Sequence, residues 1–422
     1  MKRRDFLKST VALGTLAAVT AKFGWGGIRP AFAAGVNIDT DGKITRRRYK
    51  DTNLTMPLLG YGMMRLPVVE GGGAGDVDAD AVQTLVDRAM AAGLNHFDTA
   101  YMYNGGQSER FVGWALKKYP RNSFTLTDKL PVMMMNGSED AERIFNEQLE
   151  KTQAGYFDFY LLHALNADTF EKAEKWKLYE FLEKKKEEGK IRHIGFSFHD
   201  RPEILERIAA SHKWDVVLLQ INYLDWELYR SSEQYEIATK HGIPVMVMEP
   251  LRGGMLAKLN EGAAGVLKQA APDASTASWA FRYVASLPDV LTILSGMTYS
   301  PVLEDNIKTF TPLKPLDATE RQTLANALAE LKKSAGFVPC TGCRYCSCPF
   351  SVDIPELFAA YNSYILSNKK DGRRFKQRYN ALAAAHRADK CVKCRSCVPK
   401  CPQHIDIPAE LAKVAQAVKE LG

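Results

Sequence analysis

Eight short apolar runs, each followed by a loop and a stretch of helical periodicity, occupy the chain from Leu58 to Met297. They read PLLGYGM, NHFDTA, SFTLTDKL, FDFYLLHA, IRHIGFSF, VVLLQINY, PVMVMEPL and LTILSGM. Between them apolar residues return every three or four positions, as in DAVQTLVDRAMAAG, whose closing Gly93 suits a helix C-cap. Strand–helix alternation repeated eight times in about 240 residues is what an α/β fold of the (β/α)8 TIM barrel type requires. A doubly wound open sheet also alternates and is the competing architecture.

A parallel barrel performs its chemistry at the C-terminal ends of its strands. The residues that close the runs are Asp98, Lys129, His163, Ser197, Gln220, Glu249 and Ser295. Reducing a carbonyl by hydride transfer needs a proton donor within hydrogen-bond reach of the oxygen. Tyr103 can serve, and an ammonium beside it, Lys129, would favour the phenolate and make the phenol a better acid. Asp98 would pair with Lys129, and His163 would donate to the substrate oxygen. Taken singly, each has a structural reading as a loop aromatic, a strand end, a cap or a core histidine.

NHFDTAYMYNGGQSE resembles the aldo/keto reductase signature, with Asp98 and Tyr103 five residues apart; Lys129 closing LTDK and His163 closing YLLH match the rest of that family's catalytic tetrad. The resemblance runs from about Ile44 to Phe310 and includes IGFS, PLRGG and SGM followed by Asn306. It implies a nicotinamide nucleotide, NAD(P)(H), held by Ser197, Gln220, Arg252, Ser295, Gly296, Thr298 and Asn306. Two expected contacts depart from the pattern: Phe198 stands where the family has asparagine, and Met248 where a tyrosine stacks on the nicotinamide. No Lys or Arg lies between Gly296 and Asn306, so a preference for NADP is not supported; a flavin, or no bound nucleotide, remains an alternative.

All eight cysteines lie between Cys340 and Cys401. Cys391, Cys394, Cys397 and Cys401 form the C-x2-C-x2-C-x3-C-P run of bacterial ferredoxins, in which three thiolates hold one cubane and the fourth reaches another. Cys340, Cys343, Cys346 and Cys348 form a run shortened before its last cysteine. By the two-cluster rule Cys340, Cys343 and Cys346 pair with Cys401, and Cys391, Cys394 and Cys397 with Cys348, giving two 4Fe-4S clusters; the shortening leaves Cys348 open. Zinc or disulfides are the competing uses of these thiols. Both runs end in Cys-Pro and lead into an Ile-Pro pair, SVDIP and QHIDIP, which points to an internal duplication. A branch of the aldo/keto reductases with a C-terminal iron-sulfur ferredoxin-like segment is similar over nearly the whole remaining chain.

The N-terminus reads KRRDFLK, then an apolar stretch too short for a membrane span, then Ala31-Phe32-Ala33. It resembles a twin-arginine signal, which exports folded proteins, with cleavage expected after Ala33; an uncleaved anchor or a plain basic arm is the alternative. Residues 1–33 carry six Lys/Arg and one Asp, so their removal takes the net charge from +7 to +2 and leaves no basic balance that implies nucleic acid. The expected parts are a signal over 1–33, a barrel over 44–315, a linking helix over 316–338 and an iron-sulfur domain over 339–422. The expected protein is a periplasmic oxidoreductase acting on a small carbonyl or alcohol, coupled to electron transfer through its clusters, with a redox protein partner and no membrane contact beyond its signal. The alternatives are an NAD(P)H-dependent reductase with purely structural clusters, and a redox-sensing, partner-binding subunit with a vestigial site.

Overall fold

The computed structural model describes residues 42–422 apart from 51, 53, 335, 339, 341–345, 367–368, 371 and 402–404. Residues 1–33, the stretch expected to be a signal, and Cys343 therefore lie outside the described residues. Contacts divide the chain into two compact units. The first holds the described residues of Met1–Tyr223, Arg230–Gly253 and Ala277–Asp317; the second holds Leu224–Tyr229, Gly254–Thr276 and Ala318–Gly422.

Among the described residues the first unit opens with two three-residue strands that the sequence reading did not anticipate. β1 (Arg46–Arg48) and β2 (Thr55–Pro57) pair antiparallel. The eight apolar runs then become β3 (Leu59–Gly62), β4 (His96–Asp98), β5 (Thr125–Leu130), β6 (Phe157–Leu165), β7 (Ile191–Phe198), β8 (Val216–Gln220), β9 (Val245–Met248) and β10 (Val290–Ser295). They close in the order β10-β3-β4-β5-β6-β7-β8-β9, every pair parallel, which excludes the open sheet.

Strands covered on both faces can be apolar throughout, and β6, FDFYLLHAL, is buried at all but one position. Tyr49 and Met56 from the hairpin pack with Phe159, Leu161, Val216, Leu218 and Met246 inside the barrel. Their burial fills the interior with side chains. At Gly195 the strands approach so closely that a Cβ would lie 2.4 Å from the Val216 carbonyl oxygen. Helices follow the strands as expected: Asp78 caps Ala79–Ala91 by accepting from the Ala81 amide at 3.0 Å, and Gly93 ends that turn at φ +83.

The second unit is helical among the described residues. The helix Ala318–Ser334, read from sequence as a linker, belongs to it. Ile354–Leu366 and Ile407–Glu420 both start at the isoleucine of an Ile-Pro pair, so the two cysteine runs lead into equivalent helices.

Candidate active site

Asp98 ends β4 opposite Gly62 of β3 and Thr127 of β5, and Lys129 lies opposite Leu161 of β6. This register brings the charges together: Lys129 Nζ donates to Asp98 Oδ1 at 2.6 Å. The same ammonium donates to the Thr99 carbonyl at 2.7 Å and to Tyr103 Oη at 3.4 Å. All three ammonium hydrogens thus have acceptors, and Tyr103 keeps its phenolic hydrogen to give. The His163 ring meets the Tyr103 ring edge-on, with centroids 5.9 Å apart. The structure therefore gathers Asp98, Tyr103, Lys129 and His163 into one site.

The electrostatics correct one expectation. Burial pushes the Tyr103 phenol up and outweighs the Lys129 ammonium, which pulls it down. Lysine therefore offsets the cost of a buried phenolate without making the phenol more acidic than in water. Burial works to lower Lys129, but Asp98 and Tyr103 outweigh it and hold the ammonium charged. Burial pushes the Asp98 carboxyl up against the pull of Lys129, and its Oδ2 has no partner. Burial, with help from Lys129 and His199, lowers His163 to about 3. A neutral imidazole is left, able to donate one N–H to a substrate oxygen.

His163 sits in an irregularity of β6, where the register against β7 shifts between Leu162 and Leu165 and Ala164 takes φ +55. The amide of Ala164 donates to Ser197 Oγ at 2.7 Å. Ser197 is buried and anchors the bulge that aims His163. Phe198 beside it is buried.

The other expected cofactor residues spread around the same strand ends. Gln220 ends β8 opposite Met248, which is partly buried against the core. Arg252 lies in the turn after β9 at φ +49, and the carboxylate of Glu249 accepts from the Gly253 amide. Ser295 and Asn306 are buried and joined, Asn306 Nδ2 donating to Ser295 Oγ at 3.1 Å. Gly296 and Thr298 lead into the helix Ser300–Phe310. Sequence reasoning missed Arg65. Its side chain runs 3.3 Å from where a Gly296 Cβ would stand, Thr298 donates to its carbonyl at 2.8 Å, and its Nη2 lies 3.9 Å from Glu249. A guanidinium therefore accompanies the 296–298 loop although no Lys or Arg lies between Gly296 and Asn306. These hydroxyls, the amide side chain and a loop without bulky side chains at Gly296 fit a nicotinamide nucleotide.

In the second unit, burial pushes the Cys397 thiol up, and the charges of Cys391, Cys348 and Cys394 push it further. These four are the set that the two-cluster spacing assigns to one cubane. Lys400 Nζ reaches Ser347 Oγ at 3.4 Å, bringing the segment before Cys401 to the one between Cys346 and Cys348. Cys346 and Cys401 are buried, Cys340 is partly buried and Cys394 is exposed. None of the seven described cysteines is in a disulfide. Among the described residues no three ligating side chains are drawn together to metal-holding distance. A donor set made wholly of thiols in two neighbouring runs fits iron-sulfur clusters.

The backbone before each run is held by a side chain. Asn362 donates to the Val338 carbonyl at 2.8 Å and accepts its amide at 2.9 Å, two residues before Cys340. Tyr379 donates to the Asp389 carboxylate at 2.9 Å and accepts the Asp389 amide at 3.4 Å, two residues before Cys391.

Residues 339–405 match the 4Fe-4S dicluster domain. Among curated proteins, the L-galactose dehydrogenase of Arabidopsis thaliana is 27% identical over 69% of this chain and 95% of its own length. The NADH-specific methylglyoxal reductase of Escherichia coli is 26% identical over 66% of this chain and 97% of its own. Among solved structures, the holo form of an aldo-keto reductase from Bacillus halodurans superposes with a TM-score of 0.56 at 24% identity, covering 67% of this chain and 96% of that one. Residues 58–328, including every member of the tetrad, match the aldo/keto reductase family, and the chain belongs to that family.

Proposed function

We propose that this protein is an exported oxidoreductase that interconverts a carbonyl and an alcohol in its barrel and exchanges the two electrons through two 4Fe-4S clusters at its eight cysteines. The observation that carries the barrel chemistry is the buried Asp98–Lys129–Tyr103 line, with 2.6 Å and 3.4 Å links. In the reductive direction Tyr103 gives its proton to the carbonyl oxygen, supported by the ammonium that stabilises the phenolate left behind. Neutral His163 donates to the same oxygen and fixes its position. A nicotinamide nucleotide, the family's cofactor, supplies or takes the hydride when bound. Ser197, Gln220, Asn306 and the 296–298 loop would hold it.

Two features support the coupling. An alcohol oxidised to a carbonyl releases two electrons, which two one-electron centres can accept, and two protons, the hydroxyl proton passing to the Tyr103 phenolate and both leaving finally to solvent. The N-terminal KRRDFLK supports a folded-protein export route, because metal sites form with folding and must be assembled before export. Free nicotinamide nucleotide is not expected outside the cytoplasm, and an electron route through the protein answers that need. A redox protein is the expected partner.

The test is anaerobic purification of the exported protein, metal analysis, mass spectrometry of released nucleotide and turnover of Tyr103→Phe. About eight irons per chain are expected; zinc, or no iron, overturns the cluster assignment. A Tyr103→Phe enzyme of full activity overturns the barrel chemistry. Cys394→Ser separates coupling from scaffolding. Loss of dye-linked electron transfer in a folded protein supports coupling, and unchanged transfer refutes it.

A further inference from the structure

Behind Lys129 the first unit buries two carboxyls that the chemistry above does not use. Successive residues of a strand face opposite sides, so Lys129 enters the barrel while Asp128 turns toward the helices. There Gln148, on the helix Glu139–Thr152, donates through Nε2 to Asp128 Oδ1 at 2.9 Å and to Glu109 Oε1 at 2.7 Å. The same nitrogen lies 3.1 Å from the Lys129 carbonyl, and Asp128 Oδ1 accepts the Lys129 amide at 2.8 Å. Asp128 therefore holds the lysine's peptide N–H, and the lysine's carbonyl shares one of the two Gln148 Nε2 hydrogens. The Tyr160 hydroxyl donates to Gln148 Oε1, which leaves that amide no freedom to flip.

The grip depends on a close helix contact. A Cβ on Gly113 would stand 2.5 Å from the Lys151 carbonyl oxygen, so glycine lets the helix Ser108–Leu116 bring Glu109 to Gln148. Asp128, Glu109 and Gln148 are all fully buried. The charges around them are Lys129 and Asp98 on the barrel side, and Lys151 on the other, 3.2 Å from Glu109 and 2.7 Å from Glu147. Tyr101 donates to Glu147 at 2.9 Å and Tyr103 lies beyond Lys129. Both groups that donate to the Asp128 carboxyl are neutral amides and its Oδ2 has no partner, so a charge there would sit uncompensated in the interior, which favours the protonated form. Burial, then Glu109, pushes Asp128 well above the usual carboxylate range, and burial pushes Glu109 up as well.

We propose that Asp128 and Gln148 are positioning residues, a clamp carrying one proton that fixes the Lys129 ammonium against Tyr103, with Glu109 and Lys151 as its charge-balancing outer end. This rests on reading Tyr103 and Lys129 as the proton-donating pair.

The experiment uses the holoenzyme with three readouts: the infrared carbonyl stretch of a protonated carboxyl, the tyrosinate absorbance lost in Tyr103→Phe, and benzaldehyde reduction with NADH and with NADPH. Asp128→Asn should abolish the carboxyl band at neutral pH yet keep kcat within about twofold, since an amide reproduces the protonated acid. Gln148→Leu should lower kcat about tenfold or more at little-changed KM and move the Tyr103 titration upward. A wild-type protein without the band, or an Asp128→Asn enzyme as impaired as Asp128→Leu, overturns the proton. Gln148→Leu with unchanged kcat and titration overturns the clamp, and Gln148→Met stands in should the leucine variant not fold. Full activity in Tyr103→Phe or Lys129→Met would instead overturn the underlying reading, which keeps the two failures apart.

Discussion

Replacing Lys129 by methionine removes an ammonium while keeping most of its volume, and the structure sets the size of the effect. Lys129 Nζ stands 3.4 Å from Tyr103 Oη. At an effective dielectric of about 20, a unit charge there stabilises the phenolate by roughly 5 kcal/mol. A half-transferred proton at the transition state feels about half of that, so kcat should fall by roughly 10²-fold. The substitution also strands Asp98, which is 3% exposed and loses its 2.6 Å partner. Leaving one member of a buried pair costs about 3–5 kcal/mol, so the single variant will be less stable as well as slower. Adding Asp98→Asn separates the two effects, because the neutral pair should recover most of the stability and none of the rate. The assay is kcat and KM for aldehyde reduction, with urea unfolding of the same preparations. A Lys129→Met enzyme within about threefold of wild-type kcat, or a double variant that regains activity along with stability, would refute the proton-transfer argument.

Three further outcomes are expected. His96 is fully buried and pushed down to about 3, first by burial and then by Lys129 and Arg46. The unfolded chain binds that proton near its ordinary 6.5, so the contribution is complete above that pH and is lost as pH falls from 6.5 toward 3. The wild type should therefore lose up to about 1.4 kcal/mol more per pH unit than His96→Gln between about pH 6 and 4, and equal slopes in parallel urea titrations would contradict this. Ser197→Ala strips the Ala164 amide of its acceptor, costing about 1–3 kcal/mol and lowering kcat by misaiming His163; unchanged stability would mean that another group takes that amide. Asn362→Leu orphans both peptide groups of Val338, so the protein should be destabilised by about 2–4 kcal/mol and hold its metal less well under a chelator challenge. Wild-type iron retention would argue that the anchor does not serve the cysteine run.

The barrel and its tetrad were legible in sequence for a physical reason. A parallel strand covered on both faces is an unbroken apolar run, and the polar residue closing it stands out as the group at the barrel mouth. β1 and β2 carried no such mark, being three residues each, with Arg-Arg-Arg and Thr-Met-Pro for sequences. The sign of the Tyr103 shift was illegible because it is a contest between burial and a neighbouring charge, and only the fold fixes how deeply the phenol is buried. Arg65 was missed because its neighbours Gly296 and Thr298 follow it by more than two hundred residues. Gln148 and Glu109 are the instructive case. Gln148 falls on the buried stripe Ala141, Ile144, Phe145, Gln148, Thr152, and Glu109 on the stripe with Val112, Gly113 and Leu116. On either helix alone a polar residue in the apolar stripe reads as a blemish in the core. Two such residues on helices that follow consecutive strands carry more information, because each needs a partner that the solvent cannot supply. The neighbouring strand offers one in Asp128, one position before the lysine that closes its run. The sequence analysis singled out none of the three, because only the fold shows that Asp128, Glu109 and Gln148 meet behind Lys129.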